Sequence, residues 1–148
     1  MTTAQPTTTG ATVDAFFERY ASGDLPGLLE LFADRVDFRV AGSPHVPWTG
    51  TRSTRREIAE FFETFPEVLT APQSFTLHAR MVDGQHAVVT AESVFGVLAT
   101  GKTFANAYAL HFSVVDGQIT RYHMYEDSYA IAEAFIPFSG ERAERSSS

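Results

Sequence analysis

Phe104-Ala105-Asn106-Ala107-Tyr108-Ala109-Leu110-His111-Phe112-Ser113-Val114 is the stretch whose alternation decides the fold. Successive side chains of an extended strand point to opposite faces. Phe104, Asn106, Tyr108, Leu110, Phe112 and Val114 therefore share one side, and Ala105, Ala107, Ala109, His111 and Ser113 the other. A strand that is bulky on one face only needs a second layer to cover that face. Asp116-Gly117 downstream, with Asp83-Gly84 and Thr100-Gly101 upstream, are turn signals, so the chain after Pro72 is expected to form four antiparallel strands.

The covering layer is found by reading back toward the N-terminus. Val13, Phe16, Phe17 and Tyr20 keep the spacing of one helical face, with Thr12 as the expected N-cap and Gly23 as the stop. A short second helix starts at Pro26 and carries Leu28, Leu29, Leu31 and Phe32. A third opens on Thr54 with Glu57 three residues on, a capping-box pattern, and presents Ile58, Phe61, Phe62 and Phe65 before Pro66 ends it. A short strand, Val36 to Val40, and a brief terminal helix, Ser128 to Phe135, complete the elements. The expected class is α+β: a cone-shaped, curved antiparallel sheet packed against about three N-terminal helices, with a cavity on its concave side. Residues 13–138 make the domain, and residues 1–12 and 139–148 are expected to be polar tails.

Composition narrows the partners. The chain of 148 residues is 44% hydrophobic and 20% charged, which suits one soluble domain with a real core. A net charge of −7 repels phosphate backbones and anionic surfaces, so no nucleic-acid or membrane partner is expected. Met1 to Thr12 lacks the basic start and apolar stretch of a secretory signal, and a cytoplasmic location is expected. The absence of cysteine excludes disulfides and thiolate chemistry. The histidines show no close metal-ligand spacing, so neither metal nor cofactor is expected. Arg52, Arg55 and Arg56, answered by Glu57, Glu60 and Glu63, read as a solvated helix face. The 13 Phe, 5 Tyr and 1 Trp suit a deep apolar core or a pocket lined by rings. The alanine side of the Phe104 strand lets another surface approach closely, so a homodimer through the outer sheet face is expected.

Several landmarks then fall in order: Phe16-Phe17, Gly23-Asp24-Leu25, Leu31-Phe32-Ala33-Asp34, Pro47-Trp48-Thr49-Gly50, Ala99-Thr100-Gly101-Lys102, Asp116-Gly117-Gln118-Ile119 and Asp127. Together they resemble the SnoaL-like branch of the nuclear transport factor 2-like superfamily, which includes ketosteroid isomerase-related proteins, polyketide cyclases and limonene epoxide hydrolase. The resemblance implies a conical, cystatin-like α+β barrel, often dimeric, with acid, base or hydrogen-bonding groups projecting into an apolar pocket between helices and sheet. It also implies where such groups would sit. The last-strand acid position falls at Met124, the isomerase base at Val40, its oxyanion-donor acid at Leu110, and the epoxide hydrolase Arg and Asp near Ala91 and Ser93. These positions are apolar or neutral here, so none of those mechanisms transfers intact.

The candidate chemistry must come from other residues. Asp127 ends the last strand, where it either shuttles a proton or caps the terminal helix. Glu126 shares the parity of Tyr122 and Met124 and faces the pocket unless a bulge turns it outward. His45 lies in a loop stiffened by Pro44 and Pro47 that is placed to close over the pocket mouth, or it is an idle surface imidazole. His111 and His123 have the outward parity and are expected to face the subunit interface in a structural role. Asn106, Tyr108, Tyr20 and Tyr122 are inward polar groups that need a partner, either a ligand oxygen or the protein. Trp48 is a pocket wall, as are Phe16, Phe38, Val40, Leu110 and Met124, whereas the Phe61, Phe62 and Phe65 stripe reads as core. Two functions follow. One is acid/base catalysis without a cofactor on a small apolar molecule, by isomerisation, cyclisation or epoxide or ring opening, with Asp127, Glu126, His45, Tyr108 and Tyr122 as candidate catalytic groups. The other is a non-catalytic, dimeric small-ligand-binding module of the same fold.

Overall fold

The computed structural model describes residues 6–137. Helices α1 (Thr9–Ala21) and α2 (Leu25–Glu30) lead into strand β1 (Phe32–Val40). Strand β2 (Gly50–Arg52) and helix α3 (Arg55–Val68) follow, then β3 (Ser74–Asp83), β4 (His86–Gly96), β5 (Thr103–Val115), β6 (Gln118–Tyr125) and helix α4 (Ser128–Ala134). The six strands form one curved, unclosed sheet in the order β2-β1-β6-β5-β4-β3. The Phe104 strand is its backbone, pairing with β4 from Gly96–Thr103 to His86–Ser113 and with β6 on its other edge. Asp116 and Gly117 both have positive φ, 52° and 76°, the geometry of the two-residue hairpin turn that joins β5 to β6.

Local expectations need correction in four places. Helix α1 begins at Thr9 with Thr8 as its cap, so Thr9 to Thr12 are helical rather than tail, and Thr12 is buried with its hydroxyl donating to Thr8 O. The expected C-terminal tail, 139–148, lies outside the described residues. Phe32 leaves the second helix and starts β1, because Ile119 N donates to Leu31 O and draws the chain onto β6. The β1–β6 pairing is parallel, so the sheet is mixed and not wholly antiparallel. Pro66 lies inside α3, which runs to Val68 and closes with Leu69 N donating to Phe65 O. The capping box of Thr54 and Glu57 is present as read.

The helices cover the concave face of the sheet. Phe16 of α1 lies among Phe17, Phe32, Phe62, Phe112 and Tyr122, with ring centroids 5.1–6.3 Å apart. Phe38 stacks on Tyr122 at 4.5 Å and 7°, and meets Phe61 edge-on at 4.9 Å. Edge-to-face and offset rings of this kind add to simple area burial. Arg52 and Arg55 are not an idle helix face. The Arg52 guanidinium lies 4.9 Å from the Phe61 ring centre and donates to Trp48 O, while Arg55 donates twice to Phe32 O. Of the three arginines in that cluster, Arg56 alone is exposed. On the convex side, Ala105 and Ala107 are exposed as the strand parity requires.

Candidate functional site

The cavity lies between α1, α3 and the inner face of β4, β5 and β6, and encloses about 320 Å³, the size of a small organic ligand. Its walls are rings: Phe16, Phe17 and Tyr20 from α1, Phe62 and Phe65 from α3, and Phe75, Phe95, Phe104, Tyr108 and Tyr122 from the sheet, with Trp48 from the loop after β1. Tyr20 and Phe75 are also exposed to solvent, which places the mouth beside them. Among the described residues no Lys, Arg or His lines it, and its one carboxyl group is Glu126.

Glu126 follows the last residue of β6 and keeps the inward parity of Tyr122 and Met124; no bulge reverses it. Each of its oxygens accepts one hydrogen bond. Trp48 Nε1 donates to Oε2 at 3.0 Å, and Asn106 Nδ2 donates to Oε1 at 3.1 Å. The Asn106 amide is itself oriented, because its Oδ1 accepts from the Asp127 backbone N–H at 3.1 Å. Trp48 is held as firmly. Its ring packs edge-on against Phe65 and Phe135, its carbonyl accepts from Arg52, and Thr49 Oγ1 ties the loop to Ser43 O and Val46 O. Burial pushes the Glu126 carboxyl up from 4.5 to about 7, with the Trp48 and Asn106 hydrogen bonds opposing the rise. A carboxyl group poised there is half protonated near neutrality and can both give and take a proton.

Three phenols share the space. The hydroxyl of Tyr122 is pushed well above its ordinary range by burial first, then by Tyr20, Tyr108 and Glu126. Tyr108 is raised by burial, against its 3.4 Å contact with Ser93 Oγ, and further by Glu126. Tyr20, which lines the cavity with 45% of the residue accessible, is pushed up to about 12 by burial and Tyr108. All three therefore stay neutral and act as donors at physiological pH.

The other candidates divide cleanly. Phe16, Tyr20, Trp48, Asn106, Tyr108, Leu110, Tyr122, Met124 and Glu126 line the cavity. Phe38 and Val40 do not; each is 1% exposed in the core, Phe38 stacked on the Tyr122 ring and Val40 paired with Met124 across β1 and β6. Asp127 is exposed and caps α4, its Oδ1 accepting from Ala130 N at 3.1 Å. His45 is exposed on its loop and is absent from the lining. His111 and His123 lie on the outer face, the latter 2.9 Å from Asp37. Among the described residues there is no group of three or more His, Cys, Asp or Glu that could hold a metal. Phe62 and Phe65 of the α3 stripe serve as both core and wall, and Phe17, Phe75, Phe95 and Phe104 are walls that parity or helical spacing alone could have nominated.

A family model described as the SnoaL-like domain matches residues 13–122. No curated protein matches the chain. Among solved structures, a nuclear transport factor 2-like protein of Burkholderia thailandensis E264 is similar over 88% of this chain and 98% of its own, at 21% identity and a TM-score of 0.79. TerC, co-crystallised with polyporic acid, is similar over 85% and 96%, at 22% identity and 0.72. A candidate polyketide cyclase of Pseudomonas putida KT2440 is similar over 87% and 98%, at 18% identity and 0.69. At such identities these likenesses speak for the fold alone. The matched segment stops at Tyr122, so Glu126 rests on its geometry.

Proposed function

The chain belongs to the SnoaL-like domain family, and from that premise we propose that it is an enzyme of acid/base chemistry on a small, neutral, apolar molecule, with Glu126 as the proton carrier. The observation that carries this reading is the convergence of Glu126, Tyr108 and Tyr122 on one ring-lined cavity. The ionised carboxylate takes a proton from carbon or oxygen beside a ligand carbonyl. The charge that develops on the carbonyl oxygen is met by a phenol donor, and the carboxyl group returns the proton at a neighbouring atom or to a leaving oxygen. Isomerisation, cyclisation and ring opening all fit that sequence. Anionic ligands do not fit, since the described residues of the lining offer no cation to meet them and ionised Glu126 repels them. That a solved neighbour is a candidate polyketide cyclase agrees with chemistry on a small organic molecule.

The test works before the natural substrate is identified. Neutral cyclic and aromatic ketones found to bind by ligand-observed NMR are incubated with the protein in D2O, and exchange of the proton beside the carbonyl is followed. Wild type is expected to accelerate exchange, and Glu126→Gln to lose about 10²–10⁴-fold of that rate while keeping ligand affinity within a few fold. Exchange that survives Glu126→Gln overturns the assignment. Tight binding with no exchange by either protein favours the non-catalytic ligand-binding module, for which the apolar replacements at Val40, Leu110 and Met124 also speak.

A further inference from the structure

On the opposite side of the sheet, three neighbouring strands carry a row of imidazoles: His86 on β4, His111 on β5 and His123 on β6. The register places them. Val88 pairs with His111 and His86 with Ser113, so His86 and His111 are diagonal neighbours, and His111 stands opposite His123. His86 Nδ1 and His111 Nε2 are 3.1 Å apart, with ring centroids 5.2 Å apart and planes inclined by 38°. His123 is committed elsewhere, with Nε2 2.9 Å from Asp37 Oδ1.

Two imidazole nitrogens bound to one ion at roughly 2.0–2.1 Å stand about 2.9 Å apart when the bonds meet at a right angle and about 3.4 Å apart when they meet tetrahedrally. The observed 3.1 Å lies between those limits. We propose that His86 and His111 form a two-imidazole site for a late first-row divalent ion, Cu²⁺, Ni²⁺ or Zn²⁺, on the outer face of β4 and β5. Without the ion, one ring donates its N–H to the facing nitrogen of the other; on binding, solvent carries that proton to the donor ring's other nitrogen, and a modest rotation of the rings turns the two lone pairs off the line between them. Ser113 Oγ, 3.3 Å from His86 Nδ1, is a hydrogen-bond partner for a water on the ion. No third protein ligand stands ready among the described residues, so water completes the shell. Two neutral nitrogen donors select ions that favour imidazole over Mg²⁺ and Ca²⁺, which require oxygen. Arg121, opposite Ser113 in the register, opposes the charge of the ion, and Asp83, opposite His86, offsets it. Both ligands project from paired strands, so little ordering accompanies binding.

The experiment is calorimetric titration of the untagged full chain with NiCl2 at pH 7.5. Each variant is checked by far-UV circular dichroism and by its metal-free melting temperature. One Ni²⁺ per chain is expected, with affinity reduced at least tenfold in His86→Gln and in His111→Gln and unchanged in His123→Gln and His45→Gln, while MgCl2 gives no binding heat. Absence of Ni²⁺ binding overturns the site, as does binding that persists in the folded His86→Gln and His111→Gln proteins or that is lost in His123→Gln or His45→Gln.

Discussion

Glu126 works against the fold that holds it. Its carboxyl is raised from 4.5 to about 7 in the native state, so between those values the folded chain binds more protons than the unfolded one. Stability is therefore highest below about pH 4.5 as far as this group is concerned, falls as pH rises, and has lost about 3 kcal/mol once pH exceeds 7. Glu126→Gln removes that proton uptake. The difference in melting temperature between pH 5 and pH 8 is expected to shrink in the variant, and an unchanged difference would show that the carboxyl is not held up. Of the adjacent acids at 126 and 127, only Glu126 continues the inward alternation of Tyr122 and Met124. Strand parity separates them, sending one into the cavity and the other to the solvent-facing end of α4. The amide of Asn106 could not be assigned by pattern, because its partners, Glu126 and the Asp127 N–H, come together only when β5 and the end of β6 are side by side.

At the level of elements, caps and walls are separable. Asp127 closes the first turn of α4 through Ala130 N, while its own backbone N–H orients Asn106. Asp127→Ala is expected to lower stability by about 1 kcal/mol in chemical denaturation and to leave ketone exchange unchanged, since the backbone donor survives the substitution. A large loss of exchange would return Asp127 to the catalytic group. What was legible at this scale was whatever repeats locally: the helical spacing of Phe16, Phe17 and Tyr20, the capping box at Thr54, and the alternation from Phe104 to Val114. What was not legible depends on distant partners. Gly50 to Arg52 is a strand only because Phe38 to Val40 lies beside it, and the parallel β1–β6 pairing joins segments at opposite ends of the chain. Pro66 within α3 belongs here too, because the tertiary packing of Phe61, Phe62 and Phe65 outweighs the one helical hydrogen bond that proline cannot donate.

The molecule as a whole holds together without cysteine, through a ring-rich core continuous with the wall of its cavity. Phe38, Phe61 and Phe112 are buried behind the same Tyr122 that fronts the cavity, so the core sets the Tyr122 wall of the ligand space. Trp48 adds a property of another kind. It is the only indole in the chain, it is 1% exposed, and its N–H touches the carboxyl oxygen whose ionisation is at stake. All tryptophan fluorescence from this protein therefore reports on one hydrogen bond. Emission wavelength and lifetime are expected to titrate with a midpoint near 7 in wild type and to stay flat in Glu126→Gln. Occupancy of the cavity can then be read optically, without a label and whatever the substrate proves to be.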